Sequence, residues 1–245
     1  MTATFPGFPP EALKFLRSLK RNNNREWFLE HKHIYEQGVK APMVELVLAL
    51  GREMKPFAPE MSWDPARAIY RIYRDVRFSP DKSPYKTHIA AVFNPRVMKR
   101  HNCGGLYFHV SPNEVEIAGG IYMPGAAELL AIRQHIAGHH KKFRSLIEAP
   151  EFNRLFGEVW GARLTRAPKG FPADHPAADL LRYKQFLADV SRPPELAESP
   201  KLLPTLVTLF RGMLPLVRFL NEPLKVAPQS DSVTSTVGKP PHPLP

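Results

Sequence analysis

Gly105-Leu106-Tyr107-Phe108-His109-Val110-Ser111-Pro112-Asn113-Glu114-Val115-Glu116-Ile117-Ala118-Gly119-Gly120-Ile121-Tyr122 places two runs rich in Ile, Val and aromatic residues around a Ser-Pro-Asn-Glu break. A hydrophobic period near two with β-branched and aromatic residues is the signature of a strand. The spacing predicts strands over 105–111 and 114–123, joined as an antiparallel hairpin at Ser111-Pro112-Asn113-Glu114. Upstream, Ile, Tyr, Val and Phe recur in the same way over 67–79 and 86–93, predicting two further strands. A basic loop from Asn94 to Gly105, with Arg96, Lys99, Arg100 and His101, is expected between 86–93 and the hairpin. The pairs Gly104-Gly105 and Gly119-Gly120 suit bends or a close backbone approach.

Helical periods flank this block. Leu13, Leu16 and Leu19 follow Pro9-Pro10-Glu11 and predict a first amphipathic helix, stopped by Asn22-Asn23-Asn24. A second helix is expected from Asn24 to about Gly38, and a third from Pro42 to Met54. Beyond the strands, Ala126 to Ile147 reads as one long helix and Pro150 opens a shorter one. Asp174-His175-Pro176 suits the cap and first turn of a helix running to Phe186. A last helix, from about Pro200 to Leu220, should be interrupted by Pro204 and Pro215. The Pro-rich, aromatic-free tail 225–245 is expected to be disordered. Helices, then strands, then helices define a single α+β domain over 1–224, with a largely antiparallel sheet of about four or more strands between N-terminal and C-terminal helices. No glycine-rich phosphate loop follows a strand, so neither a dinucleotide fold nor a P-loop is expected.

The 245 residues carry 27 prolines and a formal net charge of +11, which favours anionic partners. Cys103 is the single cysteine, so intrachain disulfides and cysteine-cluster metal sites are excluded and a reducing cytoplasm is the expected compartment. The N-terminus lacks the pattern of a secretory signal. Leu202 to Leu220, the most apolar stretch, contains Arg211, Arg218 and two prolines and reads as a buried helix; no membrane partner is expected.

Charge is densest in Arg71-Ile72-Tyr73-Arg74-Asp75-Val76-Arg77-Phe78-Ser79-Pro80-Asp81-Lys82-Ser83-Pro84-Tyr85-Lys86. On an extended strand Arg74 would share a face with Tyr70, Ile72, Val76 and Phe78, while Arg71, Asp75 and Arg77 would line the other. A guanidinium on an apolar face needs a counter-charge, so Arg74 is either half of a buried ion pair or the floor of an anion pocket. The prolines at 80 and 84 would hold Lys82 near the end of that strand. Two readings stay open: a ligand cradle, or a network that ties the sheet edge to the helices.

Arg71-x-x-Arg74-Asp75-x-Arg77-Phe78-x-x-x-Lys82-x-Pro84-Tyr85 resembles the RxxRDxRFxxxKxPY signature of the domain of unknown function 2461 family. Supporting segments are Asn22-Asn23-Asn24-Arg25-Glu26-Trp27-Phe28, Gly119-Gly120-Ile121-Tyr122, Pro168-Lys169-Gly170-Phe171 with Asp174-His175-Pro176, and Pro215-Leu216-Val217-Arg218-Phe219-Leu220-Asn221. The resemblance implies a single-domain, mostly bacterial protein from a family without an assigned activity.

Candidate ligand-binding residues are therefore Arg71, Arg74, Asp75, Arg77, Lys82, Tyr85 and Lys86, joined by His88 and His109, whose imidazoles titrate near neutral pH on strands beside the basic run. His135 and His139 are spaced i,i+4 on a predicted helix, but no glutamate follows as in HExxH, and neither metal nor cofactor is expected. Trp27 and Phe28 read as helix core rather than a base-stacking platform. Cys103 reads as inert, and no nucleophilic triad is recognisable. The leading expectation is a cleft for a phosphate or carboxylate on a small molecule, with enzymatic action on it open. The alternatives are a nucleic-acid module using the same patch plus Arg96, Lys99, Arg100, Lys141 and Lys142, and a structural or interaction protein whose arginines are internally paired.

Overall fold

A computed structural model describes residues 4–98 and 102–225. Lys99, Arg100 and His101 of the basic loop, and tail residues 226–245, lie outside the described residues. The helices in chain order are α1 (Pro10–Arg21), α2 (Arg25–Glu30), α3 (Lys32–Ile34), α4 (Ala41–Met54), α5 (Pro65–Ala68), α6 (Ala126–Gly138), α7 (His140–Ile147), α8 (Pro150–Phe156), α9 (Ala178–Leu181) and α10 (Leu202–Asn221). The strands are β1 (Ile89–Phe93), β2 (Gly105–Val110), β3 (Val115–Ile121) and β4 (Phe186–Arg192), an antiparallel meander in the order β1-β2-β3-β4. The fold is α+β.

The hairpin forms as its pattern dictates. Ser111 Oγ takes the backbone N–H groups of Asn113 (3.2 Å) and Glu114 (3.1 Å), and its own N–H reaches the Glu114 carbonyl at 2.9 Å, closing the turn between β2 and β3. From there alternation sorts the side chains. Phe93, Leu106, Phe108, Val110, Ile117 and Phe186 point to one face and are fully buried. Against that face lies α10, with Phe210 set 5.8 Å from Phe93 and 6.3 Å from Phe108, ring to ring. Gly119 makes the approach possible, since a Cβ there would sit 2.8 Å from Met213 Cβ. Gly120 has φ +134°, and a Cβ on it would strike the Phe186 carbonyl.

Several expectations need correction. The segment 67–79 is not a strand: Asp64 caps α5 by accepting from the Ala66 N–H at 3.0 Å, and only isolated bridges follow, Ile69 to Ala91 and Tyr73 to Tyr85. The run 71–86 instead folds back on itself, with the Arg74 N–H donating to the Pro84 carbonyl (2.9 Å) and the Lys86 N–H to that of Ile72 (2.8 Å). Pro84 has no N–H to return, so the ladder stops after one bridge. The fourth strand is β4, which the sequence reading assigned to a helix end and loop; the helix expected there is only the single turn α9. The second helix breaks into α2, α3 and a π-helical turn at Tyr35–Lys40, and the long helix over 126–147 divides at His139. Conversely, α10 runs unbroken through Pro215, with Pro204 in its first turn.

By length and composition α10 is apolar enough to cross a membrane, but its side chains pack against the sheet and α4, which makes it the central core helix. Because a branched side chain at position 119 would meet Met213 at its helix-anchored Cβ, Gly119→Val is expected to destabilise the fold by about 1–3 kcal/mol, measured by denaturant unfolding.

Candidate functional site

The basic run is largely satisfied from within. Arg74, half-buried, forms an ion pair with Asp81 and donates to the Ser83 carbonyl at 3.3 Å. Arg77 grips Asp75 with Nε at 3.0 Å and Nη2 at 2.7 Å. Lys82 donates to the Val76 carbonyl at 3.0 Å, and Lys86 to that of Arg71, also at 3.0 Å. Of the two arginines expected on its face, Asp75 therefore pairs with Arg77: the turn lets neighbours two apart meet directly. Hydrogen bonds from Arg77 hold the Asp75 carboxyl down at about 2, and those from Ser83 and Arg74 depress Asp81 further. Arg71 is exposed.

Tyr85 anchors this hairpin to the N-terminal helices. Its N–H donates to Asn23 Oδ1 at 3.0 Å, and Asn23 Nδ2 donates back to the Tyr85 carbonyl at 2.9 Å, an amide imitating a strand partner. The Tyr85 ring stacks on Phe28, centroids 4.1 Å apart. Asn23 and Phe28, both in the Asn22-to-Phe28 segment, thus meet Tyr85 from the basic signature. Asn221 has a comparable role at the C-terminus of α10: it is buried, accepts from the Gly104 N–H at 2.7 Å and donates to the Gly104 carbonyl at 3.1 Å.

A second cluster lies on the sheet face turned away from α10. Strand register aligns Ala90, His109, Glu116 and Ser191 in one row, and Val92, Tyr107, Ala118 and Asp189 in the next. His88, immediately before β1, sets its ring 4.9 Å from that of His109. His109 Nδ1 is 3.2 Å from Glu116 Oε2 and 3.1 Å from the Tyr107 hydroxyl; its Nε2 is 3.9 Å from Glu114 Oε1. An ionised carboxylate only accepts and the Tyr107 hydroxyl can donate or accept, so the tautomer of His109 sets which group donates at each contact. Ser191 Oγ donates to Glu114 Oε2 at 2.6 Å, and the Trp160 indole N–H donates to Asp189. At the β1 edge the Lys86 ammonium sits 5.0 Å above the Tyr70 ring, and Tyr70 packs edge-on to Tyr107 at 6.4 Å. His109 is only 9% exposed, while His88, Tyr107, Glu116 and Asp189 are half-buried over a floor of Ala90 and Ala118.

Burial, the neighbouring His109 and the Lys86 charge push the His88 imidazole down to about 4. Burial drives the Tyr107 phenol up, with Glu116, Tyr70 and Glu114 adding to it. Burial also raises the Asp189 carboxyl, against the Trp160 hydrogen bond and with the charges of Glu116 and Glu114. Of the residues expected from sequence, His88, His109 and Lys86 fall at this face, while Arg74, Asp75, Arg77 and Lys82 brace the hairpin. Tyr107, Glu114, Glu116, Asp189 and Ser191 were missed; the polar residues alternating along the open face of β2–β4 were the available signal.

Elsewhere, His135 Nε2 faces Glu222 at 3.5 Å, and its ring lies 4.4 Å from that of His139. Burial raises the Cys103 thiol to about 12, consistent with an inert side chain. Arg96 is tied to the Pro59 carbonyl and Lys142 pairs with Glu222 at 3.5 Å. Trp27 is half-buried, stacked on His31 at 4.1 Å and packed against the core, where Phe28 is buried. A cavity of about 260 Å³, lined by Arg67, Ala68, Val92, Asn94 and Pro95 among others, opens near the other end of β1.

The family described as Conserved hypothetical protein (DUF2461) matches residues 11–219, and the chain belongs to it. No curated protein matches, and no solved structure does.

Two outcomes are expected. Asn23→Ala, which leaves the Tyr85 backbone without its partners, costs about 1–3 kcal/mol and raises amide exchange at Tyr85 above the global rate. For His88, with a folded pKa of about 4 against 6.5 unfolded, the unfolded chain binds more protons between those values. Its stabilising contribution is complete above pH 6.5 and is lost as pH falls toward 4. His88→Gln should flatten the pH dependence of unfolding in that window, where Lys86, His109 and Glu116 are the charged or titratable neighbours.

Proposed function

We propose that this chain binds a small anionic molecule, through a phosphate or carboxylate, on the open face of the sheet, and acts on it by proton transfer. The observation that carries this reading is the cluster of His88, His109 and Tyr107 on the open face, with the Lys86 ammonium over Tyr70 at the β1 edge beside it. Lys86 supplies a positive charge at the β1 edge, and exposed Arg71 is the next cation beside it. His88, kept neutral by burial, offers a lone pair as a general base, while Glu116 orients His109. Strands β2 and β3 hold Tyr107, His109 and Glu116, and His88 stands immediately before β1. Arg74, Arg77 and Lys82 act in support, by keeping the hairpin that carries Lys86 in place.

A thermal-shift screen of inorganic phosphate, sugar phosphates, nucleotides, dicarboxylates and short oligonucleotides, each at low and high salt, tests the reading. One class of small anion should stabilise the fold by about 2.7 kcal/mol at a hundredfold excess over its Kd. The shift should vanish in folded Lys86→Ala and His88→Ala and persist in Lys142→Ala, whose partner is Glu222. Stabilisation by oligonucleotides alone, with the steep salt dependence of phosphate-backbone contacts, would mark a nucleic-acid module instead. Silence towards every anion would leave a structural or interaction role for the basic residues.

A further inference from the structure

We propose that His109, Glu114 and Glu116 form a binding site for one divalent transition-metal ion. The inference rests on the open-face reading and adds a metal to that site. Each of the three residues offers one ligand atom, and these atoms all lie within 4.8 Å of one another. The donor atoms of a tetrahedral zinc site stand about 3.4 Å apart, so closing on a metal requires only small side-chain movements.

The electrostatics of the cluster ask for a cation. Each ring nitrogen of His109 faces a carboxylate, Nδ1 lying 3.2 Å from Glu116 Oε2 and Nε2 3.9 Å from Glu114 Oε1. A neutral imidazole carries one proton, so one of these contacts sets a lone pair against a carboxylate, a repulsion that a bound cation relieves. Asp189 adds a third carboxylate on the same face, one row from Glu116. Among the described residues Glu114 and Glu116 each form an ion pair with His109, and no arginine or lysine pairs with Asp189, although the chain carries a net charge of +11. His109 is itself nine-tenths buried.

The surroundings fit a metal as well. Glu116 faces His109 directly in the β2–β3 register, and Glu114 is fixed by the Ser111 turn two residues away on the same face. Ser191 Oγ holds the far oxygen of Glu114 at 2.6 Å, and the Tyr107 hydroxyl lies 3.1 Å from His109 Nδ1, the kind of outer hydrogen bonds that orient metal ligands. One imidazole with two carboxylates suits Zn²⁺ or Mn²⁺ better than an all-oxygen site for Mg²⁺ or Ca²⁺.

The full chain, stripped with a chelator, is titrated with Zn²⁺ and Mn²⁺ separately by calorimetry near pH 7.5. One saturable site per chain is expected, weakened at least tenfold in Glu116→Gln and in Ser191→Ala and unchanged in His135→Ala, which removes a histidine from the other cluster. If Glu116→Gln does not fold, Glu114→Gln on the turn makes the same test. Absence of a saturable site, or affinities that Glu116→Gln and His109→Gln leave unchanged, overturns the proposal; a doubly protonated His109 in the nitrogen spectrum would then identify a proton as the bridging charge. The anion screen run with and without metal separates the two readings. Metal binding without any anion response would remove the anion reading alone. An anion shift that persists in the stripped protein and in Glu116→Gln, without metal binding, would remove the metal alone.

Discussion

The packing of α10 on one face of the β1–β4 sheet is the constraint on which the remaining structure depends. Phe210 wedged against Phe93 and Phe108, and Met213 seated on Gly119, dry the centre of that face. A strand with one dry face must turn every second residue the other way. The polar residues of β2, β3 and β4 are thereby delivered together to the open face, and Asn221 at the end of the same helix holds Gly104 at the entry to β2. The contacts that bury the core and those that assemble the site are thus one set, and a shift of one residue in register would turn His109, Glu116 and Asp189 into the core.

Within the family signature, physical roles divide. The long basic run is mainly a self-paired hairpin whose anchor is Tyr85, held by the Asn23 amide and the Phe28 ring. Exposed ion pairs such as that of Arg77 with Asp75 contribute little stability, because water screens them. Their effect is conformational: each fixes the course of a short loop that carries Lys86 back to the sheet. A chain segment dense in charge can therefore be a scaffold for a neighbouring site rather than the site itself.

What could be read in advance follows from how local each signal is. The hairpin 105–121 was legible because alternation and turn chemistry lie within one stretch, and α1 and α4 because their apolar period and flanking residues agree. The 67–79 segment has strand composition, but pairing requires a partner with donors, and Pro84 withholds one. β4 was missed because Phe186-Leu187-Ala188-Asp189-Val190-Ser191-Arg192 has only one β-branched residue and becomes a strand by docking on β3. The open-face cluster draws on β2, the turn, β3 and β4. Its members are distant along the chain, Glu114 and Ser191 by 77 positions, so only sheet register brings them together.

Charge distribution argues in the same direction. In a chain with 34 basic and 23 acidic residues, half-buried carboxylates that form no ion pair with a lysine or arginine among the described residues are an exception to the average field. Burial raises the cost of leaving such groups unbalanced, because the interior screens their mutual repulsion less than water does. A fold could avoid that cost by placing apolar residues at 116 and 189, as it does at the adjoining Ala118. Instead the carboxylates stand in consecutive rows around a buried imidazole, each oriented by its own donor: Tyr107 and Glu116 meet at His109, Ser191 fixes Glu114, and Trp160 fixes Asp189. Groups held at that electrostatic cost are arranged for what they receive, and a positive charge is what this arrangement receives best.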